Sequence, residues 1–383
     1  MDAKMGHQFN DEQRALARSI DAFCTRESST ERLGDFPVDG TSAHDQRLYE
    51  KLAATGWVGI TIPEEYGGSG GTLTDVAILT ERLAYHRLPV GGYLTSVITA
   101  QLLIRFGTEE QKRDLLPQVA QGAVLAIAIT EPDTGSDAAA VATRATRSDG
   151  GWRIDGQKIY TSNANNARFV VVVTRTDPSA PKHQGISLFV LPMDREGVSY
   201  SRLKTLGHID TNITHYDNVA ASDGEIIGGV DHGWQALVRG LNSERLIIAA
   251  EGLGLAQRAF DDTVSYCTQR HQFGQPISRF QALQHGLAET ATRLLSTRLL
   301  TYHTAALLDA GDPAPMQASM SKLAATELAK DAALQGMQFM GGAGYTMEYG
   351  MQGYLRDSVV MTIFGGTSQI QKNIIAGQLG LNA

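Results

Sequence analysis

Cysteine is scarce in this chain. There are two in 383 residues, Cys24 and Cys267, far apart in sequence. That excludes a disulfide framework and a cysteine metal site, and the spacing of potential ligands implies no metal; a reducing, cytoplasmic setting is expected. Basic residues are also in deficit. Lys and Arg total 33 against 41 Asp and Glu, a formal net charge of -8. A nucleic-acid groove needs a basic stripe, so no nucleic-acid partner is expected. No apolar run reaches membrane-spanning length, which argues against a membrane protein. Met1 to Asn10 has neither an apolar core nor an Arg-rich amphipathic run, so neither a signal nor a transit peptide is expected. No tandem repeat is visible. What is plentiful is glycine, with 40 residues scattered along the chain, as turns and close backbone approaches require. The length supports a large core divided into two or three domains.

The period of the apolar residues divides the chain in three. Residues 1–122 read as helices. Asn10 is positioned as an N-cap, a helix spans His44 to Thr55, and Thr108-Glu109-Glu110 opens another. The Gly-rich loop from Glu64 to Gly71 follows no strand of a βαβ unit, so it is not a phosphate cradle. Residues 123–230 change period. Val124 to Thr130, Ala140 to Arg147, Trp152 to Tyr160, Ala167 to Arg175 and Ile186 to Met193 read as short strands separated by turns. Without intervening helices they predict an antiparallel sheet or barrel. Residues 231–383 return to helices, over Gly233 to Thr268, Ser278 to Asp309, Ala314 to Met340 and Thr367 to Gln378, as in a bundle. The expected fold is therefore multidomain α+β: N-terminal helices, a central antiparallel sheet or barrel, and a C-terminal bundle of three or four long helices.

The helix over Gly233 to Thr268 carries the chemistry. Trp234, Leu237, Leu241 and Ile248 recur at helical spacing and predict one buried stripe. Glu244 falls on that stripe. A carboxylate there either pairs with Arg245 or another chain, or is desolvated and has its pKa raised. The second case makes a base able to work near neutral pH.

Five blocks carry a resemblance. They are Ile127 to Asp137, Gly156 to Asn163, Arg270 to Gly274, Gln338 to Tyr345 and Gly366 to Gln371. In this order and spacing they resemble the acyl-CoA dehydrogenase family of flavoenzymes, over essentially the whole chain. The resemblance implies three domains: an N-terminal helical bundle, a central antiparallel β-barrel and a C-terminal four-helix bundle. It also implies one FAD per subunit, an acyl-CoA substrate, an electron-transfer flavoprotein as acceptor, and a homotetramer in which subunits share the FAD site. It implies that Ile127, Ile129, Thr130, Ser136, Tyr160, Thr161 and Ser162 surround the flavin ring, with Ser136 also touching substrate. Many relatives have Trp and Thr where this chain has Tyr160 and Ser162, and some have Tyr in place of Ile127. Arg270, Gln272, Phe273, Phe280 and Gln281 are implied at a neighbouring subunit's FAD, Arg270 on the pyrophosphate, for which a guanidinium is suited. Gln338, Phe339, Gly341 and Gly342 are implied near the adenosine. Thr367 and Gln369 open a helix whose amides hold the pyrophosphate. Asn242 and Arg245 are implied at the pantetheine.

The chain departs from the commonest pattern at the base. Many relatives carry the catalytic glutamate just before the Gly-Thr pair; here that place is Gly365. A smaller branch, which includes isovaleryl-CoA dehydrogenase, has it on the long helix before an arginine, which matches Glu244. Glu251, two turns on, is a rival. Gly365 keeps its N–H, which is expected to polarise the thioester carbonyl. His208 and Asp210 are expected either to flank the substrate or to be ordinary surface-loop polar residues. The expected reaction is α,β-dehydrogenation of an acyl-CoA to a 2,3-enoyl-CoA. The alternatives are a flavin oxidase or monooxygenase on the same fold, or a non-catalytic FAD-containing stress or DNA-binding relative. The negative charge and a chain ending at Ala383 argue against the last.

Overall fold

The computed structural model describes residues 9–27 and 44–381. Five helices come first: α1 (Asp11–Glu27), α2 (Gln46–Ala54), α3 (Leu73–His86), α4 (Gly92–Phe106) and α5 (Glu109–Ala120). Their starts follow from side chains that satisfy otherwise unpaired amides. Asn10 and Gln13 exchange backbone-to-side-chain bonds. Asp45 accepts from Arg47 and Leu48, and Thr72 with Asp75 and Thr108 with Gln111 form reciprocal capping boxes.

The middle of the chain forms an eight-stranded sheet from β1 (Leu125–Ala128), β2 (Arg144–Ser148), β3 (Gly151–Ser162), β4 (Phe169–Arg175), β5 (Ile186–Pro192), β6 (Val198–Leu203), β7 (Thr211–Ala221) and β8 (Ile226–Ile227). The order is β6-β7-β3-β2-β4-β5-β8, with β1 beside β4. Most pairs are antiparallel, as expected, while β1 and β2 meet β4 in parallel. The sequence pattern did not reveal β6 and β7. In β7 the inward positions include Asn212 and Thr214, both fully buried. Its two-residue period is thus carried partly by polar groups, and an apolar alternation does not show it.

The C-terminal part contains α6 (Gly233–Gln269), a small hairpin of β9 (His271–Gln272) and β10 (Gln275–Pro276), α7 (Gln281–Asp309), α8 (Pro315–Met340), the short α9 (Gly342–Tyr345), α10 (Met351–Met361) and α11 (Ser368–Gln378). The helix α10 was not anticipated. The single buried stripe expected on α6 is also too simple. Trp234 and Leu241 are half-buried, whereas the segment from Arg245 to Ala250 is buried on every side. The reason is position: α6 is the central helix and packs on α3, α4, α7, α8 and α10. Gly254 makes the closest approach possible, since a Cβ there would meet the Glu81 carbonyl oxygen at 2.1 Å. No described helix is long and apolar enough to cross a membrane.

Candidate active site

The centre of the site is where α6 meets the turn before α11. Gly365 and Gly366 both take left-handed backbone angles, φ +61° and +81°. A Cβ placed on Gly365 would lie 3.4 Å from Oε1 of Glu244. The carboxylate from the helix therefore reaches the very space a side chain at position 365 would enter. That space is otherwise filled: the same Cβ would meet Cδ1 of Ile248 at 2.3 Å. Glycine at 365 and the pair Glu244 and Ile248 on α6 are thus two halves of one packing arrangement.

Glu244 is not paired with Arg245. The Arg245 guanidinium instead donates to Asn242 Oδ1 at 2.6 Å, and its Nε has no partner. Among the described residues no hydrogen bond or ion pair satisfies the Glu244 carboxylate. Desolvation raises its pKa, opposed by the nearby charges of Arg245 and Lys322. The residue keeps some accessible surface despite its protein surroundings. Unpaired, desolvated and accessible is the condition of a general base.

Lys322 is the residue at this centre that sequence reasoning missed. Its side chain is fully buried. Its ammonium donates to the Gly366 carbonyl at 2.9 Å. Gln371 Nε2 donates to the carbonyls of Gly365 and Gly366, each at 3.0 Å. The turn is therefore clamped through its oxygens, and no protein group accepts from the Gly365 N–H among the described residues. Burial lowers the Lys322 pKa to about 8, against the pull of Glu244 and Glu327, so the amine is charged at neutral pH. A signal existed: Lys322 shares the helical stripe of Ala318, Ser319, Ala325 and Thr326, all buried.

The second part of the site is the mouth of the sheet. The loop after β1 is fixed by a buried ion pair, Lys158 Nζ to Glu131 Oε1 at 2.8 Å. The same ammonium donates to the Ile129 carbonyl, and the Glu131 carboxylate accepts from the amides of Ala142 and Thr143. The Ile159 amide donates to the Thr130 carbonyl at 2.8 Å, so Thr130 and β3 are held side by side. At that point the register of β3 against β7 breaks between Lys158 and Thr161. Tyr160 takes φ +60°, a strained angle for a bulky residue, and its ring is 63% exposed. Bulges re-aim side chains in this way. The result is an outward aromatic face beside Ile129, Thr130 and Ser162, which are half-buried, as is Ile127, with Ser136 exposed on the adjoining turn. Thr161 points the other way: its hydroxyl is buried against that of Thr214, and its carbonyl accepts from Asn212 Nδ2 at 3.1 Å.

The remaining predicted residues occupy separate surfaces. Arg270, Gln272 and Phe273 are exposed on the β9–β10 hairpin, Phe273 at 92%. The Phe273 ring meets Phe280 edge-on at 5.9 Å, and Gln281 is exposed beside it. Gln338, Gly341 and Gly342 are exposed at the end of α8, where Phe339 packs over Gly286. Thr367 caps α11 through a bond from the Ile370 amide, and Gln369 is exposed. Asn242 donates to the Pro313 carbonyl. His208 and Asp210 are not surface-loop polar groups. His208 Nδ1 lies 2.8 Å from Asp357 Oδ1, and the Asp210 carboxylate accepts from Asn166. They tie the 206–210 loop to α10 and to the end of β3.

Comparisons with known proteins bear on the fold and the family. The N-terminal, middle and C-terminal domains of the acyl-CoA dehydrogenase family match residues 10–123, 126–219 and 231–380. The chain is 35% identical to a short/branched chain specific acyl-CoA dehydrogenase of Bos taurus over 375 residues, 96% of this chain and 85% of that one. It is 32% identical to a subunit of a caffeyl-CoA reductase-Etf complex from Acetobacterium woodii, over 97% of this chain and 99% of that one. The structure of butyryl-CoA dehydrogenase from Megasphaera elsdenii superposes with a TM-score of 0.92 at 28% identity, covering 97% of this chain and 99% of that one. The chain is an oxidoreductase that belongs to the acyl-CoA dehydrogenase family.

Proposed function

We propose that the protein is an FAD-dependent acyl-CoA dehydrogenase with Glu244 as its base. The observation that carries this is the unpaired Glu244 carboxylate, 3.4 Å from where a side chain of Gly365 would begin. FAD, when bound, supplies the hydride acceptor for the β-hydrogen. The chain's own residues fit that group. The exposed Tyr160, with Thr130 and Ser162, offers a flat wall bordered by hydroxyls. The positive end of α11, where the Gln369 amide has no partner among the described residues, suits a pyrophosphate.

The protein's part in the reaction is proton transfer and polarisation. Glu244 takes the α-proton of the bound thioester. That proton is too weakly acidic for an unassisted carboxylate, so the thioester oxygen needs a donor. The free Gly365 N–H provides one, and Lys322 and Gln371 hold the turn that aims it. The raised pKa of Glu244 keeps the base strong without making it inert.

The hairpin from Arg270 to Phe273 and the turn from Gln338 to Gly342 are exposed, and they serve the FAD of a second copy. The working form is then a homotetramer with shared cofactor sites, and the electron acceptor is an electron-transfer flavoprotein. The association of the Acetobacterium relative with Etf supports this acceptor. Glu244→Gln tests the reading. The variant should retain flavin, while anaerobic bleaching by acyl-CoA falls by about 10²–10⁴-fold, the usual worth of a general base. Bleaching at the wild-type rate would remove Glu244 from the mechanism. Stoichiometric peroxide without an added acceptor would replace the dehydrogenase with an oxidase.

A further inference from the structure

Glu251 is a second unsatisfied acid on α6. Its Oε2 is sealed from solvent and has no hydrogen-bond partner, yet the residue keeps some accessible surface. Burial first and the nearby Asp357 second push its pKa up to about 7. The cations near Asp357 are already engaged there. Arg87 Nη2 donates to Asp357 at 3.0 Å, and His208 bonds it through both its backbone amide and Nδ1. Arg356 Nη2 faces His208 Nε2 at 3.3 Å. Of the buried side-chain polar atoms without a partner among the described residues, Glu251 Oε2 alone belongs to a carboxylate, the group that burial without a donor penalises most.

Its position relative to Glu244 is fixed by the helix. Glu244, Ile248 and Glu251 are four and three residues apart, so they share a face, with the two acids separated by roughly 10 Å along the axis. On the shared face Leu241 and Glu244 keep accessible surface while Ile248 is fully buried, so exposure falls from Leu241 to Ile248; Glu251 beyond it is again half-buried. The carrier end of a thioester must stay at the outer end of this gradient. An acyl chain whose α-carbon meets Glu244 therefore runs inward past Ile248 toward Glu251.

We propose that Glu251 is a recognition group at the inner end of the acyl crevice, and that it selects thioesters whose chain carries a hydrogen-bond donor, a hydroxyl or an amine. This rests on reading Glu244 as the base. An alkyl chain leaves Oε2 unpaired; a donor satisfies it. Discrimination of about ten- to a hundredfold is expected from one such contact.

The test compares hexanoyl-, octanoyl- and decanoyl-CoA with their ω-hydroxy and ω-amino counterparts on the holoenzyme, reading anaerobic flavin bleaching as kcat/KM. The wild type should favour a donor-bearing chain over the plain chain of the same length by about ten- to a hundredfold. Glu251→Leu should erase or invert that order. Glu251→Gln keeps a carbonyl acceptor without charge, so it should keep the hydroxyl preference and lose the amine preference. Calorimetric binding of the same panel to Glu244→Gln gives the ranking without turnover. A flat or plain-chain-first ranking in binding, or an unchanged ranking in Glu251→Leu, overturns the proposal. Absence of bleaching by every thioester, with the ranking intact in binding, would overturn the dehydrogenase reading and leave the recognition role standing.

Discussion

Two acids of this protein, Glu131 and Glu244, each lie near a buried lysine, and they have opposite fates. At the mouth of the sheet Glu131 accepts from Lys158 and from two backbone amides, at 2.7 to 2.8 Å. Desolvation would raise its pKa, but Lys158 and these bonds outweigh it and hold the carboxyl below the ordinary range. Beside Gly365 the lysine is spent elsewhere. Lys322 bonds the Gly366 carbonyl, and Glu244 is left with charge nearby but no donor, so its pKa rises. The ammonium groups are alike, each buried and each lowered to about 8 mainly by desolvation. What separates the two acids here is direct contact with the ammonium: the charge and hydrogen bonds of Lys158 act on Glu131 at 2.8 Å, whereas Lys322 gives its bond to Gly366 and leaves the desolvation of Glu244 uncompensated.

That contrast can be broken at either end. The largest effect should come from Lys158. Lys158→Met leaves Glu131 buried without its partner and should cost about 3–5 kcal/mol of stability, read by denaturant unfolding. A loss comparable to an ordinary surface substitution would show that the pair is not what fixes the loop. Gly365→Ala should follow. It adds a Cβ at positive φ and 2.3 Å from Ile248 Cδ1, and destabilisation of about 1–3 kcal/mol is expected together with slower flavin bleaching. Lys322→Met removes a positive charge that favours ionised Glu244, so the rising limb of the bleaching rate against pH should move to higher pH. Bleaching should also slow by about tenfold as the Gly365 N–H loses its aim. A limb that stays in place would separate the lysine from the base.

The effect at Glu251 depends on pH and vanishes in acid. Its folded pKa of about 7 stands above the unfolded value of 4.5. The folded state therefore binds more protons between those values. The stability tied to this group is fully present below about 4.5 and is lost as pH rises through about 7. Glu251→Gln should flatten that fall, recovering at most about 3 kcal/mol at pH 8 and little at pH 4. Thermal melts at both pH values check this, and an equal shift at both would contradict it.

Much of the molecule was legible in its residues. The three-part order followed from the change of period near Val124 and its return near Gly233. The capped helix starts at Asn10 and Thr108 were readable because capping is local chemistry. The desolvated setting of Glu244 was readable because an acid among apolar helical positions has few places to go. What was hidden depended on partners far apart in sequence. No local pattern says that Lys322 would bond Gly366, or that Arg245 would turn to Asn242 and leave Glu244 alone. The strand β7 was hidden because Asn212 and Thr214 fill its inward positions. His208 looked like a loop residue because its partner, Asp357, is supplied by α10, a helix the apolar period did not announce.

The account rests on proton removal by Glu244, and exchange of substrate hydrogen with solvent measures that step alone. Acyl-CoA incubated with the holoenzyme in deuterium oxide, followed by NMR, should lose its α-proton signal. The Glu244→Gln holoenzyme, with flavin still bound, should leave that signal at the background rate. Exchange at the wild-type rate in the variant would mean that another group takes the proton.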